Sequence, residues 1–158
     1  STRVRSSAAS DVYKRQLIFF MIDLDNFKDV NDTLGHVYGD KVLTEAAEKL
    51  KQVFPAKALI GRLGGDEFSV CASFDAFDLD NLTEYMTQKG DKLCDILKEE
   101  YVSGDKSVQV SASIGIASAP VDGEDFLTIY QKADKALYLS KRSGKNRYNL
   151  FQHSAADE

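Results

Sequence analysis

The sequence predicts an α+β domain: a ferredoxin-like βαββαβ antiparallel sheet flanked by helices, with an extra C-terminal helix and a short strand. Three observations predict it. A continuous apolar run at 17–22 ends in Asp23, as suits a central strand covered on both faces. Over 108–116, Val108, Val110, Ala112, Ile114 and Ile116 alternate strictly with Gln109, Ser111, Ser113 and Gly115, the period of a strand. Between these lie two strand-like stretches joined at Gly64-Gly65. Diglycine supplies the positive φ that tight hairpin turns need.

The elements follow in order. Residues 1–16 are small, polar and basic and lack the apolar centre of a signal peptide. Within them, 6–16 resembles translated adapter sequence, so this leader is expected to be non-native or disordered. The first strand follows at 17–22. The polar stretch 25–35 reads as turns, with Asn31 and Asp32 as turn or cap residues. Val42, Leu43, Ala46, Ala47, Leu50 and Val53 recur at helical spacing, and Pro55 stops that helix. The hairpin occupies 58–72, and 73–80 is a loop with three aspartates. Asn81 opens a second helix with Leu82, Met86, Leu93 and Leu97 on one side and Gly90 as its weak point. After the alternating strand and a loop at 120–125, Phe126, Tyr130, Ala133 and Leu137 mark a third helix ending near Gly144. An edge strand at 148–151 closes a domain expected over 17–152, and 153–158 is expected to fray.

Composition narrows the function. A chain of 158 residues builds one domain with a real core. A net charge of -5 argues against a nucleic-acid partner bound through a basic field. No apolar run approaches the roughly 20 residues that span a bilayer, so no direct membrane contact is expected. Cys71 and Cys94 form neither a disulfide framework nor a zinc cluster, which fits a reducing, cytoplasmic location. His36 and His153 have no partners at metal spacing and read as non-ligands.

The chemistry gathers around carboxylates. Asp23 closes the first strand, and Asp66 and Glu67 sit at the hairpin tip. In a βαββαβ sheet the first and third strands are antiparallel central neighbours, so Asp23 and Asp66 are expected side by side. Two adjacent carboxylates repel, and one pKa must rise unless a cation is shared. Mg²⁺, or Mn²⁺ in its place, takes one or two carboxylates plus phosphate oxygens. A nucleoside triphosphate with its metal is the expected ligand. Lys141, Arg142, Lys145 and Arg147 follow the third helix and suit phosphates, although a basic last turn also complements the helix dipole. Lys28 could reach the same phosphates. Asn31 and Asp40 flank the segment 35–39. Helix capping accounts for them, and so does reading of guanine, whose N1–H and exocyclic amine an aspartate accepts together.

These residues fall into ordered blocks: FMIDLDNFK at 20–28, Asn31-Asp32, Gly35-His36, Gly39-Asp40, RLGGDEF at 62–68, Ser113-Ile114-Gly115, ADKALY at 133–138, Lys141, and GKNR at 144–147. In this order and spacing the chain, from residue 17 to 151, resembles the GGDEF domains, or diguanylate cyclases. The resemblance implies a sheet like that of nucleotide cyclases and polymerase palms. It implies condensation of two GTP into cyclic di-GMP with release of two pyrophosphates, at the interface of a homodimer. It implies Asp23 and Asp66 as metal ligands with the Leu24 carbonyl. Glu67 would be the base beside the attacking hydroxyl or a further metal ligand. Asn31 and Asp40 would read guanine, Lys141 and Lys145 would hold the terminal phosphates, Gly64 and Gly65 would admit the nucleotide to the backbone, and Phe27 would close the pocket. An upstream sensory or dimerisation domain is implied in the parent protein, which could be anchored in a membrane.

The chain departs from the family in places. Pro55 and Ala58 stand where many members carry an inhibitory Arg-x-x-Asp pair, so product feedback at that position is expected to be absent. Lys145 stands where arginine is frequent, keeping the charge but not the fork. The usual leading helix is replaced or missing. A contrasting reading of the same chain is a silent GTP- or cyclic di-GMP-sensing module, whose usual mark is a broken hairpin signature; this one is intact.

Overall fold

The apolar run becomes the centre of the sheet. In the computed structural model, which describes residues 15–75 and 79–152, it is the middle of β1 (Arg15–Asp25). The chain continues through α1 (Phe27–Leu34), α2 (His36–Val53), β2 (Leu59–Gly64), β3 (Glu67–Asp75), α3 (Leu79–Leu97), β4 (Glu99–Ser103), β5 (Lys106–Ala119), α4 (Phe126–Arg142) and β6 (Arg147–Leu150). The sheet order is β2-β3-β1-β5-β4, and β6 pairs in parallel with β5. As expected, β1 and β3 are antiparallel neighbours inside the sheet. Residues 1–14 of the leader expected over 1–16, the fraying from residue 153 and 76–78 of the aspartate loop lie outside the described residues, whereas Arg15 and Gln16 of that leader are ordered as the first residues of β1, paired with Asp75 and Phe74.

Because side chains alternate along β1, the two faces of the sheet hold separate cores. Ile18, Phe20, Ile22 and Leu24 join Phe68, Val70, Ile114 and Ile116 under α1, α2 and α3. Phe19 and Met21 face the other way, against Ala117 and the α4 residues Ile129, Ala133 and Leu137. Each such large side chain, fully buried, contributes about 1.5–3 kcal/mol. Among the described residues no helix is long and apolar enough to cross a membrane.

Two expected elements need correction. The stretch 25–35 is mostly helix, not turn. Asn26, left-handed at φ 66, turns the chain into α1 while its side-chain amide donates to the Gln109 carbonyl. Polar composition hid an eight-residue amphipathic helix that buries Val30 and leans Phe27 and Leu34 on the core. The second correction is β4, a strand the sequence reading lacks. It forms a hairpin with β5 through Ser103↔Lys106, with Gly104 at φ 64 in the turn. Its apolar residues, Tyr101 and Val102, are too few to show a period, so only the Gly-Asp turn signalled it.

Gly90 is not a weak point. A Cβ there would lie 2.6 Å from the ring of Tyr148, so glycine lets β6 pack against α3. Gly90→Ala gains about 1 kcal/mol of helix propensity but loses about 1–3 kcal/mol to overpacking. A net loss is expected in denaturant titration. A stabilised variant would mean that the Tyr148 ring moves aside freely.

Candidate active site

The end of β1 and the tip of the β2–β3 hairpin are tied together by main chain. The register sets Asp23 opposite Glu67, and the Leu24 N–H donates to the Asp66 carbonyl at 3.1 Å. The turn itself is Gly65-Asp66, with Gly64 at an irregularity ending β2. Gly64 and Gly65 hold φ 148 and 47, and a Cβ on either would meet nothing within 4 Å. The tip is therefore bare backbone, open to a bulky ligand. Arg62 Nε donates to the Gly65 carbonyl at 2.9 Å and steadies the turn.

Charge is crowded here. Burial raises the pKa of Asp66, the Asp23 charge raises it further, and Glu67 adds to both. Asp23 Oδ2 forms an ion pair with Lys141 Nζ, while Asp23 Oδ1 is buried with no hydrogen-bond partner. Burial pulls Lys141 down, but its bond to Asp23 and the nearby carboxylates outweigh this and leave its pKa raised. An orphaned carboxylate oxygen beside a strained carboxyl is the environment a hard cation relieves. Among the described residues no three His, Cys, Asp or Glu side chains converge into a complete cage. Mg²⁺ needs only one or two carboxylates when waters, carbonyls and phosphates supply the rest. The all-oxygen donor set of Asp23, Asp66 and the Leu24 carbonyl fits that demand.

A cleft of about 330 Å³ opens at this point, lined by Asp23, Leu24, Asp25, Asn26, Phe27, Lys28, Asp29, Asp66, Lys141 and Lys145. It gathers Phe27 and three lysines around the two aspartates. A larger groove of about 670 Å³ runs along α4 towards Phe151 and shares only Glu67 and Lys141 with the carboxylate cluster. The smaller cleft is the one that brings Asp23 and Asp66 together with three lysines.

Asn31 and Asp40 lie on helices rather than beside a turn. Gly35, at φ 92, separates α1 from α2. Asp40 is inside α2, whose N-cap is Gly35, so it does not cap that helix. Asn31 comes four residues after Phe27, one turn along the same face of α1. A Cβ at Gly39 would fall 1.9 Å from Asn31 Oδ1, so glycine makes room for that side chain next to Asp40. Asn31 thus sits one helical turn from the cleft residue Phe27, and Asp40 follows Gly39 on α2.

Asp25, Ser140 and Gly115 have structural roles that the sequence reading did not assign. Asp25 is buried, 5% exposed, and accepts hydrogen bonds from Ser111, Ser113 and the Asn146 N–H. Ser140 is also buried, donates to the Ile114 carbonyl at 2.7 Å and accepts from Asn149. Gly115 lies under α4, where a Cβ would come 2.1 Å from the Ala133 carbonyl. The small residues of β5 mark a face covered by α4, and only their period, not their burial, was visible beforehand.

Known proteins share this architecture. The family model "Diguanylate cyclase, GGDEF domain" matches residues 2–147. Signaling protein YkoW of Bacillus subtilis is 37% identical over 144 residues, 89% of this chain and 17% of that protein. Diguanylate cyclase A of Treponema denticola is 36% identical over 143 residues, 89% of this chain and 37% of that protein. The chain thus spans well under half the length of both relatives. Among solved structures, the GGDEF domain of YfiN (TpbB) from Pseudomonas aeruginosa superposes with a TM-score of 0.79 at 29% identity, covering 95% of this chain and 91% of that one.

Proposed function

Since the chain belongs to the GGDEF diguanylate cyclase domain family, we propose that it condenses two GTP into cyclic di-GMP at the cleft between β1 and the hairpin tip. One observation carries the reading: Asp23 and Asp66 stand together with an unsatisfied carboxylate oxygen, beside lysines and a bare glycine turn. A bound divalent ion supplies charge neutralisation at the α-phosphate and acidifies the attacking hydroxyl.

The chain's own residues do the rest. Asp23, Asp66 and the Leu24 carbonyl hold the ion. Lys141 and Lys145, with Lys28, bind the phosphates. Phe27 shields them, and Gly64 and Gly65 let the nucleotide lie against backbone. Asp40 accepts from the guanine N1–H and exocyclic amine, and the Asn31 amide bonds the same base. Glu67 stands beside the 3′-hydroxyl and takes its proton. The 3′-oxygen forms a bond to the α-phosphorus of the GTP held by a second copy, the bond to the bridging oxygen breaks, and pyrophosphate leaves. The same step in the opposite sense closes the ring. A second copy of the domain is therefore required.

The test is a dimer forced by a fused coiled coil, incubated with GTP and Mg²⁺ and analysed by chromatography. Cyclic di-GMP is the expected product. Tight GTP binding without turnover would indicate a sensing module instead, and absence of binding would remove both readings.

Metal affinity should depend on pH. The proton on Asp66 competes with the ion, and its pKa lies above the ordinary 3.8. Binding is expected to release protons and to weaken as pH falls, beginning above the range where an ordinary aspartate titrates. Calorimetry in buffers of different ionisation enthalpy reads this directly. Binding with no proton release at mildly acidic pH would contradict it.

A further inference from the structure

Asp25 makes hydrogen bonds across the whole length of the chain. Its Oδ1 accepts from Ser113 Oγ at 2.7 Å, and its Oδ2 accepts from Ser111 Oγ at 2.7 Å and from the Asn146 backbone N–H at 2.9 Å. Ser111 is its direct partner across the β1–β5 ladder, so one side of the carboxylate is anchored on the sheet. The same Oδ2 also holds the loop between α4 and β6 through the Asn146 N–H. In that loop Lys145 and Asn146 are both left-handed, at φ 63 and 48. Lysine rarely adopts this conformation, although asparagine tolerates it, so the corner needs backbone partners to hold it. The Lys145 N–H donates to the Ser140 carbonyl at 3.0 Å on one side of the corner, and Asp25 takes the Asn146 N–H on the other.

We propose that Asp25 is a positioning residue that clamps the Lys145-Asn146 corner to the metal-bearing strand, so that Lys145 presents its ammonium to the nucleotide phosphates. The clamp rests on the reading of the cleft as a GTP site. Asp25, Lys145, Asp23 and Asp66 line that same cleft. Both oxygens of Asp25 are already engaged by three donors, which suits a fixed acceptor and not a metal ligand. The strand carrying Asp23 and the loop carrying Lys145 are thereby held at one spacing. Phosphate held through Lys145 is bound in ground state and transition state alike, so losing the clamp should act mainly on KM.

The experiment uses the coiled-coil dimer and three variants. Asp25→Ala should raise KM for GTP about tenfold or more while kcat changes less than about threefold. Asp25→Asn keeps the shape, offers one oxygen to the Asn146 N–H and an amide to a serine, and should recover most of the lost KM. Affinity without turnover is read with 3′-deoxy-GTP and Mg²⁺, a probe with no attacking hydroxyl, and should weaken in parallel. If Asp25→Ala does not fold, the Ser111→Ala/Ser113→Ala pair replaces it. That pair leaves the carboxylate present but cut from β5, and hydrogen exchange at the Asn146 amide should then accelerate. Unchanged 3′-deoxy-GTP affinity in a folded Asp25→Ala protein would overturn the clamp. So would an Asp25→Asn protein as impaired as Asp25→Ala, or an Asn146 amide unprotected in the parent protein. Failure of the nucleotide reading looks different: the parent protein itself would not bind the probe, although its Asn146 amide stayed protected.

Discussion

Asp66→Asn in the dimerised protein is expected to abolish cyclic di-GMP synthesis, by about 10³-fold or more, while raising the melting temperature of the metal-free domain. The two effects have one cause. Burial and the Asp23 charge favour the protonated form of Asp66 in the folded state, so its pKa lies above 3.8. An acid with a raised folded pKa favours folding at low pH, and that contribution is lost as pH rises through the folded value. At neutral pH the folded chain therefore carries a repulsion that the unfolded chain does not. Asparagine removes the repulsion and with it one of the two carboxylates that the cation needs. Metal-based charge neutralisation supplies several kcal/mol at the transition state, and each 1.36 kcal/mol is tenfold in rate. Calorimetry on the metal-free protein and a product assay on the dimer read the two halves. Retained synthesis would sink the site assignment, and a lowered melting temperature would sink the electrostatic account. Glu67→Gln should also eliminate synthesis, but Asp66 is the residue for which a stability gain is expected.

Gly115→Ala should be the most damaging single methyl group. Its Cβ would stand 2.1 Å from the Ala133 carbonyl, 2.3 Å from the Leu137 nitrogen and 2.9 Å from the Leu137 Cα. All three atoms are backbone, so no side chain can swing away and α4 must lift from β5. Lifting it opens the contact of Ile129, Ala133 and Leu137 with Phe19 and Met21 and strains the Ser140 bond to the Ile114 carbonyl. Overpacking of this kind costs about 1–3 kcal/mol and sometimes more, and the upper end is expected because the obstacle is rigid. Lys141 rides on the same helix and pairs with Asp23. Whatever protein folds should therefore also bind GTP more weakly. Urea titration gives the first quantity and nucleotide calorimetry the second. A stability loss well under 1 kcal/mol would show that α4 is not held as tightly as this packing implies.

Local pattern was the legible part. The run at 17–22, the alternation at 108–116 and the helical period from Phe126 each depend on near neighbours, and each element formed where its period placed it. The segment 25–35 was misread for a local reason as well: seven polar residues among its eleven obscured the turn of helix that buries Val30. β4 was missed because its evidence is its partner. Five residues with two apolar side chains become a strand only when β5 is there to accept them.

By itself the sequence determined the order of the elements, the residue types at the hairpin tip and the family, because hydrophobic period and turn chemistry are written in adjacent residues. Tertiary structure alone decided which groups share a boundary. It set Leu24 against Asp66, left Asp23 Oδ1 unsatisfied, laid α4 on Gly115, and brought Asp25 to an amide 121 positions away. The physical reason is that such contacts depend on the packing of whole strands and helices, which no short window of residues contains.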